Sequence, residues 1–86
     1  MHFFKDLEVW KLSMVLIIDI YKTTDTFPAK EQFGLTSQIN RSTVSIAANI
    51  AEGCGRNTTN DFNRFLDISL GSSFELETLI MAAQNI

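Results

Sequence analysis

The sequence predicts an all-α fold, an antiparallel up-down bundle whose three helices form one domain over residues 1–86. Two observations support this prediction. Apolar residues recur at helical spacing along three long stretches, and no stretch alternates apolar and polar residues as a half-buried strand would. The single proline, Pro28, separates the first two stretches, and the glycines Gly53 and Gly55 separate the last two. A chain of 86 residues is sufficient for one small domain.

The first helix is expected from about Asp6 to Thr24. It should end before Phe27, because the residue before a proline avoids the helical region. Its apolar residues form two stripes on nearly opposite sides of the helix. One stripe contains Leu7, Trp10, Met14, Ile17, Ile18 and Tyr21, and the other contains Val9, Leu12, Leu16 and Ile20.

The second helix is expected to begin at Lys30 or Leu35 and to end at Glu52. Gly53 suits the left-handed conformation that ends many helices, so Gly53 and Gly55 are predicted to form the turn that follows. The core-facing side of this helix contains Leu35, Ile39, Ile46 and Ile50. A narrow polar strip contains Arg41, Ser45, Asn49 and Glu52.

The third helix is expected to begin at Thr58 or Thr59, because a threonine hydroxyl can accept a hydrogen bond from the first turn. Asp61, three residues after Thr58, gives a weaker form of the capping box. The helical pattern then continues to Ile86. Its core side contains Phe62, Phe65, Leu66, Ser69, Ser73, Leu76, Ile80 and Ala83, and a separate side contains Leu70, Phe74 and Met81. The small residues around Gly71 would let another backbone approach closely.

The chain carries more apolar surface than one small core can use. Hydrophobic residues make up 45% of the sequence, and every helix has a second apolar side. Exposed apolar patches of that size usually mark interfaces, so a further helix or other copies of the chain should cover them. The formal net charge of −3 does not favour nonspecific binding to nucleic acid.

No catalytic, metal or cofactor site is expected, and no small-molecule substrate. The single cysteine, Cys54, cannot form an intramolecular disulfide, and the single histidine, His2, is too remote in sequence to activate it. The Gly-Cys-Gly segment follows a helix and not a strand, so it is not a phosphate-binding loop. Charged residues interrupt the apolar start of the chain, so neither a signal peptide nor a membrane span is predicted, and a cytoplasmic protein is expected.

Three arginines are candidate contacts to a partner: Arg41, Arg56 and Arg64. They lie in a mildly positive segment in which the only acids are Glu52 and Asp61. Several copies presenting this segment on one side would create a weak surface for anions. Against such a surface, aromatic residues are not expected to lie among the arginines and stack on bases. The polar strip residues Asn49 and Glu52 are expected to serve folding or assembly.

Four stretches of the sequence resemble a known family. They are residues 4–10 (FKDLEVW), 33–39 (FGLTSQI), 44–53 (VSIAANIAEG) and 62–79 (FNRFLDISLGSSFELETL). Together with Arg41 and Arg56 they resemble bacterial four-helix-bundle proteins encoded in intervening sequences of large-subunit ribosomal RNA genes, which are often labelled ribosomal proteins. A related accessory protein of diversity-generating retroelements is similar, and it binds reverse transcriptase and nucleic acid through a basic barrel.

The resemblance implies an antiparallel four-helix bundle that assembles into a ring, commonly a pentamer. On this expectation the chain lacks the end of the third helix and the fourth helix. The residues that match the most recognisable stretch of the family are Arg41, Asn49, Glu52, Gly53 and Arg56. The resemblance favours a non-enzymatic homo-oligomer that interacts with a macromolecule. The alternative is an accessory protein that binds RNA or DNA, or a nucleic-acid-processing protein, although the net charge of −3 departs from a strongly basic binder.

Overall fold

The computed structural model describes residues 3–85, and the predicted all-α class is confirmed. The helices are α1 (Glu8–Thr24), α2 (Leu35–Cys54) and α3 (Thr59–Gln84), with short 3₁₀ turns at Phe4–Asp6 and Ala29–Glu31. No strand occurs within residues 3–85. The expectations that concern His2 and Ile86 lie outside the described residues.

Local signals set most of the helix ends. α1 ends at Thr24 as predicted, but it begins at Glu8 because residues 4–6 form a separate 3₁₀ turn and Leu7 is extended. α3 begins after Thr58, whose side-chain hydroxyl accepts a hydrogen bond from the backbone N–H of Asp61 at 3.1 Å. The threonine cap therefore forms as predicted.

The predicted left-handed cap at Gly53 is wrong. Gly53 is helical, α2 continues to Cys54, and no glycine of the described chain has a positive φ. The glycine serves close packing instead, since a Cβ at this position would lie 2.9 Å from the Cβ of Phe65. Gly55 does lie in the turn, with an ordinary φ of −84°.

The middle helix, α2, organises the packing. α2 and α3 form an antiparallel hairpin joined by residues 55–58, and α1 packs on another side of α2. No Cα atom of α1 lies within 8 Å of a Cα atom of α3. The buried core consists of Ile39, Ile46, Ile50 and Leu76. Ten half-buried side chains surround it: Leu7, Trp10, Leu16, Ile20, Phe27, Leu35, Leu66, Leu79, Ile80 and Ala83.

Buried hydroxyls connect the helices across this core. Thr24 of α1 donates a hydrogen bond to Oδ1 of Asn40 at 3.0 Å, and Ser69 of α3 donates to the backbone carbonyl of Ile46 at 2.8 Å. Ser13 donates to the carbonyl of Trp10 within α1. The buried line of α1 therefore passes between the two predicted stripes and leaves part of each stripe in solvent.

Candidate functional site

The first candidate surface is the apolar area that the core does not use. Six large apolar side chains of α1 are exposed: Val9, Leu12, Met14, Val15, Ile18 and Tyr21. Four more are exposed on α3: Ile68, Leu70, Phe74 and Met81. In the connection between α1 and α2, Phe33 is 90% exposed. The predicted apolar surplus is therefore present on the surface of the folded chain.

Part of this surface is an open groove between α1 and α3, with α2 as its floor. Two adjoining cavities of about 380 and 340 Å³ lie along it. Leu16 and Ile20 line one wall, Ile39 and Ile46 the floor, and the wall contributed by α3 contains Leu76, Ile80, Met81 and Ala83. The groove exists because the backbones of α1 and α3 do not approach each other. Met14, Ile18 and Tyr21 do not line either cavity.

Two of the three candidate arginines converge on one aromatic ring. The guanidinium carbon of Arg56 lies 4.6 Å from the centre of the Phe65 ring, and that of Arg64 lies 4.9 Å from it. Cation–π attraction favours both contacts. The sequence-based expectation that no aromatic residue accompanies the arginines is thus wrong. The sequence pattern predicts Phe65 on the core side of α3, but the residue is half-buried and its ring contacts both arginines.

Each of these two arginines also has a carboxylate near it. Arg56 donates to Glu52 at 3.0 Å, and Arg64 approaches Asp61 at 3.9 Å. All four side chains are substantially exposed, so each pair contributes about 0.5 kcal/mol or less to stability. The pairs leave the Arg56–Phe65–Arg64 cluster close to neutral, and an incoming anion would compete with Glu52 and Asp61.

The third arginine, Arg41, lies elsewhere, on the other end of the α2–α3 hairpin. It lines a polar surface cavity of about 460 Å³ together with Gln38, Ser42, Ser45 and Glu75. Among the described residues Arg41 forms no ion pair within 4.0 Å. The structure therefore does not bring the three candidate arginines together within one chain.

Two residues in the polar strip of α2, Ser45 and Asn49, form hydrogen bonds within the chain. Asn49 donates to the backbone carbonyl and to Oγ of Ser45, at 2.8 and 3.0 Å. Oγ of Ser45 also lies 2.8 Å from Oγ of Ser72, which links α2 to α3. Sequence reasoning missed Ser72, because the signal depends on the register between the two helices.

The turn between α2 and α3 places Cys54 beside a small cavity of about 110 Å³. The cysteine is only 2% exposed, and burial raises the pKa of its thiol. The thiol is therefore protonated at neutral pH, which is the less nucleophilic form. Within residues 3–85 no three His, Cys, Asp or Glu side chains are grouped so that they could hold a metal ion. None of the described helices has the length and apolar character needed to cross a membrane.

Comparison with known proteins identifies the family of the chain. No curated protein matches the sequence. The sequence model of one family, described as the 23S rRNA-intervening sequence protein, matches residues 5–86. The match covers all three helices, the α2–α3 turn and every candidate residue discussed above. The chain belongs to the 23S rRNA-intervening sequence protein family.

Proposed function

We propose that the chain is a non-enzymatic helical module whose copies associate, as a ring of five in the arrangement its family resemblance implies. The assembled cytoplasmic protein presents a surface to a macromolecular partner. One observation supports this proposal above the others: six large apolar side chains of α1 are exposed on a helix that already packs against α2. A single copy leaves this surface in water.

The magnitude of the effect favours association. Four of the six, Met14, Val15, Ile18 and Tyr21, lie outside the stripe of Leu16 and Ile20. They expose on the order of 350 Å² of surface, which corresponds to roughly 9 kcal/mol at about 25 cal/mol per Å² if fully buried. The loss of translational and rotational freedom on association offsets a large part of that sum. Before that cost, the apolar term is comparable with the 5–15 kcal/mol that stabilises a typical domain.

The two exposed sides of α1 have different proposed occupants. Leu16 and Ile20 line the open groove, whose dimensions and apolar lining suit one further helix packed between α1 and α3. This is the four-helix arrangement that the resemblance implies. Met14, Ile18 and Tyr21 lie outside the groove, and we assign this stripe to contacts between copies.

Ile18→Glu tests the assignment of the outer stripe. Ile18 is 55% exposed, so the charge should leave the fold of the single chain intact. The same charge buried between copies would be costly, so we expect the assembly to separate into smaller units, with a lower multiple of 9.7 kDa than the unmodified protein. Light scattering after size exclusion gives the mass, and circular dichroism gives the helix content.

The matched control is Asn63→Glu, which adds a negative charge at an exposed polar position of α3. This variant should keep the mass of the unmodified protein. An Ile18→Glu variant that also keeps this mass would contradict the assignment of the stripe.

The second candidate function is binding of single-stranded RNA or DNA. The Arg56–Phe65–Arg64 cluster favours it, because an aromatic ring flanked by guanidinium groups is the kind of surface on which bases stack. A ring would repeat this cluster once per copy. The nearby carboxylates of Glu52 and Asp61 disfavour this function, because they would repel the phosphate groups of a nucleic acid.

Titration of labelled single-stranded RNA at about 50 and about 200 mM salt separates the two candidates. A nucleic-acid binder shows affinity that falls steeply as salt rises. Removal of both guanidinium groups in Arg56→Ala/Arg64→Ala should then abolish that affinity. Absence of binding even at the lower salt concentration rejects this second candidate and leaves the assembly module.

A further inference from the structure

The outer face of the α2–α3 hairpin carries a charge pattern that repeats on both helices. On α2 the pattern is Arg41, Ser45, Ala48 and Glu52, and on α3 it is Arg64, Ile68, Gly71 and Glu75. Residues at spacings of four, three and four share one side of a helix. Because the two helices are antiparallel, the arginine of each lies at the same level as the glutamate of the other. We call these eight residues the hairpin face.

One charge pair of the hairpin face, Arg41 and Glu75, forms no ion pair with any residue that the structure describes. Arg41 and Glu75 line the same polar cavity, and both side chains are exposed. Among residues 3–85 neither takes part in an ion pair within 4.0 Å. Opposite charges are thus held side by side without neutralising each other at short range.

The residues in the middle of the hairpin face have small side chains or none, except for the apolar Ile68. A Cβ added at Gly71 would meet no atom of the described chain within 4 Å, so no contact among residues 3–85 requires a glycine there. A glycine within a helix is less favourable than an alanine. Ile68, one turn away, is 43% exposed. A neighbouring helix could approach closely at Gly71 and cover Ile68.

We propose that a second copy of the chain docks on the hairpin face, related by a two-fold axis parallel to the helices. This axis places α2 of each copy against α3 of the other, as an isologous contact requires. Arg41 of one copy then faces Glu75 of the second copy, and the reverse pair forms on the other side of the axis. Ile68 of each copy packs over Ser45 and Ala48 of the other.

Charge complementarity is what selects a second copy as the occupant. The hairpin face has no net charge, and its signs are arranged so that rotation about this axis brings every positive residue opposite a negative one. Such arrangements fix partner and register more than affinity. α2 has 20 residues, about 30 Å at 1.5 Å per residue, and a face two helices wide is about 20 Å across. The resulting area of about 600 Å² per copy is slightly below the roughly 800 Å² typical of a stable pair.

This contact does not involve the outer stripe of α1, so it can be tested independently of the proposed function. Its loss should halve the molecular mass whether or not the α1 stripe also holds copies together. The test is charge reversal, measured by light scattering after size exclusion at low salt. We expect Arg41→Glu and Glu75→Arg each to show half the mass of the unmodified protein.

Two restorations make the test specific. The double variant Arg41→Glu/Glu75→Arg recovers the opposite charges and should regain the original mass. An equal mixture of the two single variants should also regain it, because every charge again faces an opposite one. Lys22→Glu, a charge reversal at an exposed position of α1, should leave the mass unchanged. Circular dichroism confirms that each variant keeps its helix content.

Equal masses for the unmodified protein and Arg41→Glu would overturn the two-fold contact, whatever that mass is. Failure of both restorations would also overturn it, because lost mass without recovery indicates a defect other than charge pairing. Loss of mass in Ile18→Glu together with unchanged mass in Arg41→Glu would retain the proposed assembly and reject this contact.

Discussion

Gly53→Ala is expected to lower the free energy of unfolding by about 2 kcal/mol, within the range of about 1–3 kcal/mol seen when a packed interior is overfilled. The new methyl carbon would lie 2.9 Å from the Cβ of Phe65, 3.2 Å from Cδ1 of Phe62 and 3.3 Å from the Phe62 carbonyl oxygen. Two of these atoms belong to the backbone or adjoin it, so α2 and α3 must separate. The higher helix propensity of alanine, worth about 1 kcal/mol, offsets only part of this cost.

Gly55→Ala is the matched control for this prediction. Gly55 has a φ of −84°, which alanine adopts readily, and the nearest atom to an added Cβ is the Glu52 carbonyl oxygen at 3.5 Å. The substitution should be neutral or should stabilise the chain by roughly 0.4–1 kcal/mol. Urea unfolding of both variants followed by circular dichroism measures the difference. Equal stability of the two variants would show that α2 and α3 are not in close contact at Gly53.

Ile39→Ala is expected to lower the free energy of unfolding by about 3 kcal/mol, within the 2–5 kcal/mol typical of such truncations. Ile39 is 1% exposed, lies in the core and also forms the floor of the groove between α1 and α3. A loss of that size is a large fraction of the stability of a small domain. A considerable part of the thermal stability of the chain should therefore depend on this side chain.

The control for Ile39→Ala is truncation of an exposed aliphatic side chain outside both proposed contacts, Leu70→Ala, since Leu70 is 53% exposed. Surface changes of this type usually alter stability by about 0.5 kcal/mol or less. Thermal unfolding in dilute solution compares the two variants. A smaller loss for Ile39→Ala than for Leu70→Ala would contradict the position of the core.

The sequence was sufficient to predict the three helices and most of their ends, because those depend on local signals. The proline after Phe27 and the hydroxyl of Thr58 act on neighbouring residues, and both operate as predicted. The prediction for Gly53 is wrong because it also used only local signals. A glycine near a helix end has a local explanation as a cap, whereas its packing against Phe65 depends on the register between α2 and α3.

The candidate site was less predictable than the fold. Nothing local indicates that Arg56 and Arg64 share the ring of Phe65, or that Arg41 lies apart from both. The same holds for the buried face of α1. The predicted stripes contain only apolar residues, but Ser13 and Thr24 can be buried because their hydroxyls have acceptors nearby, the Trp10 carbonyl and Oδ1 of Asn40. A prediction based on apolar positions alone does not detect polar residues that are buried in this way.

The central claim is that other copies of the chain cover the outer apolar stripe of α1, which contains Met14, Ile18 and Tyr21. Sedimentation equilibrium of the unmodified protein over a hundredfold range of concentration tests it most directly. We predict a mass that is a multiple of 9.7 kDa at the higher concentrations. A mass of 9.7 kDa at every concentration, without binding of a dye that reports apolar surface, would contradict the claim.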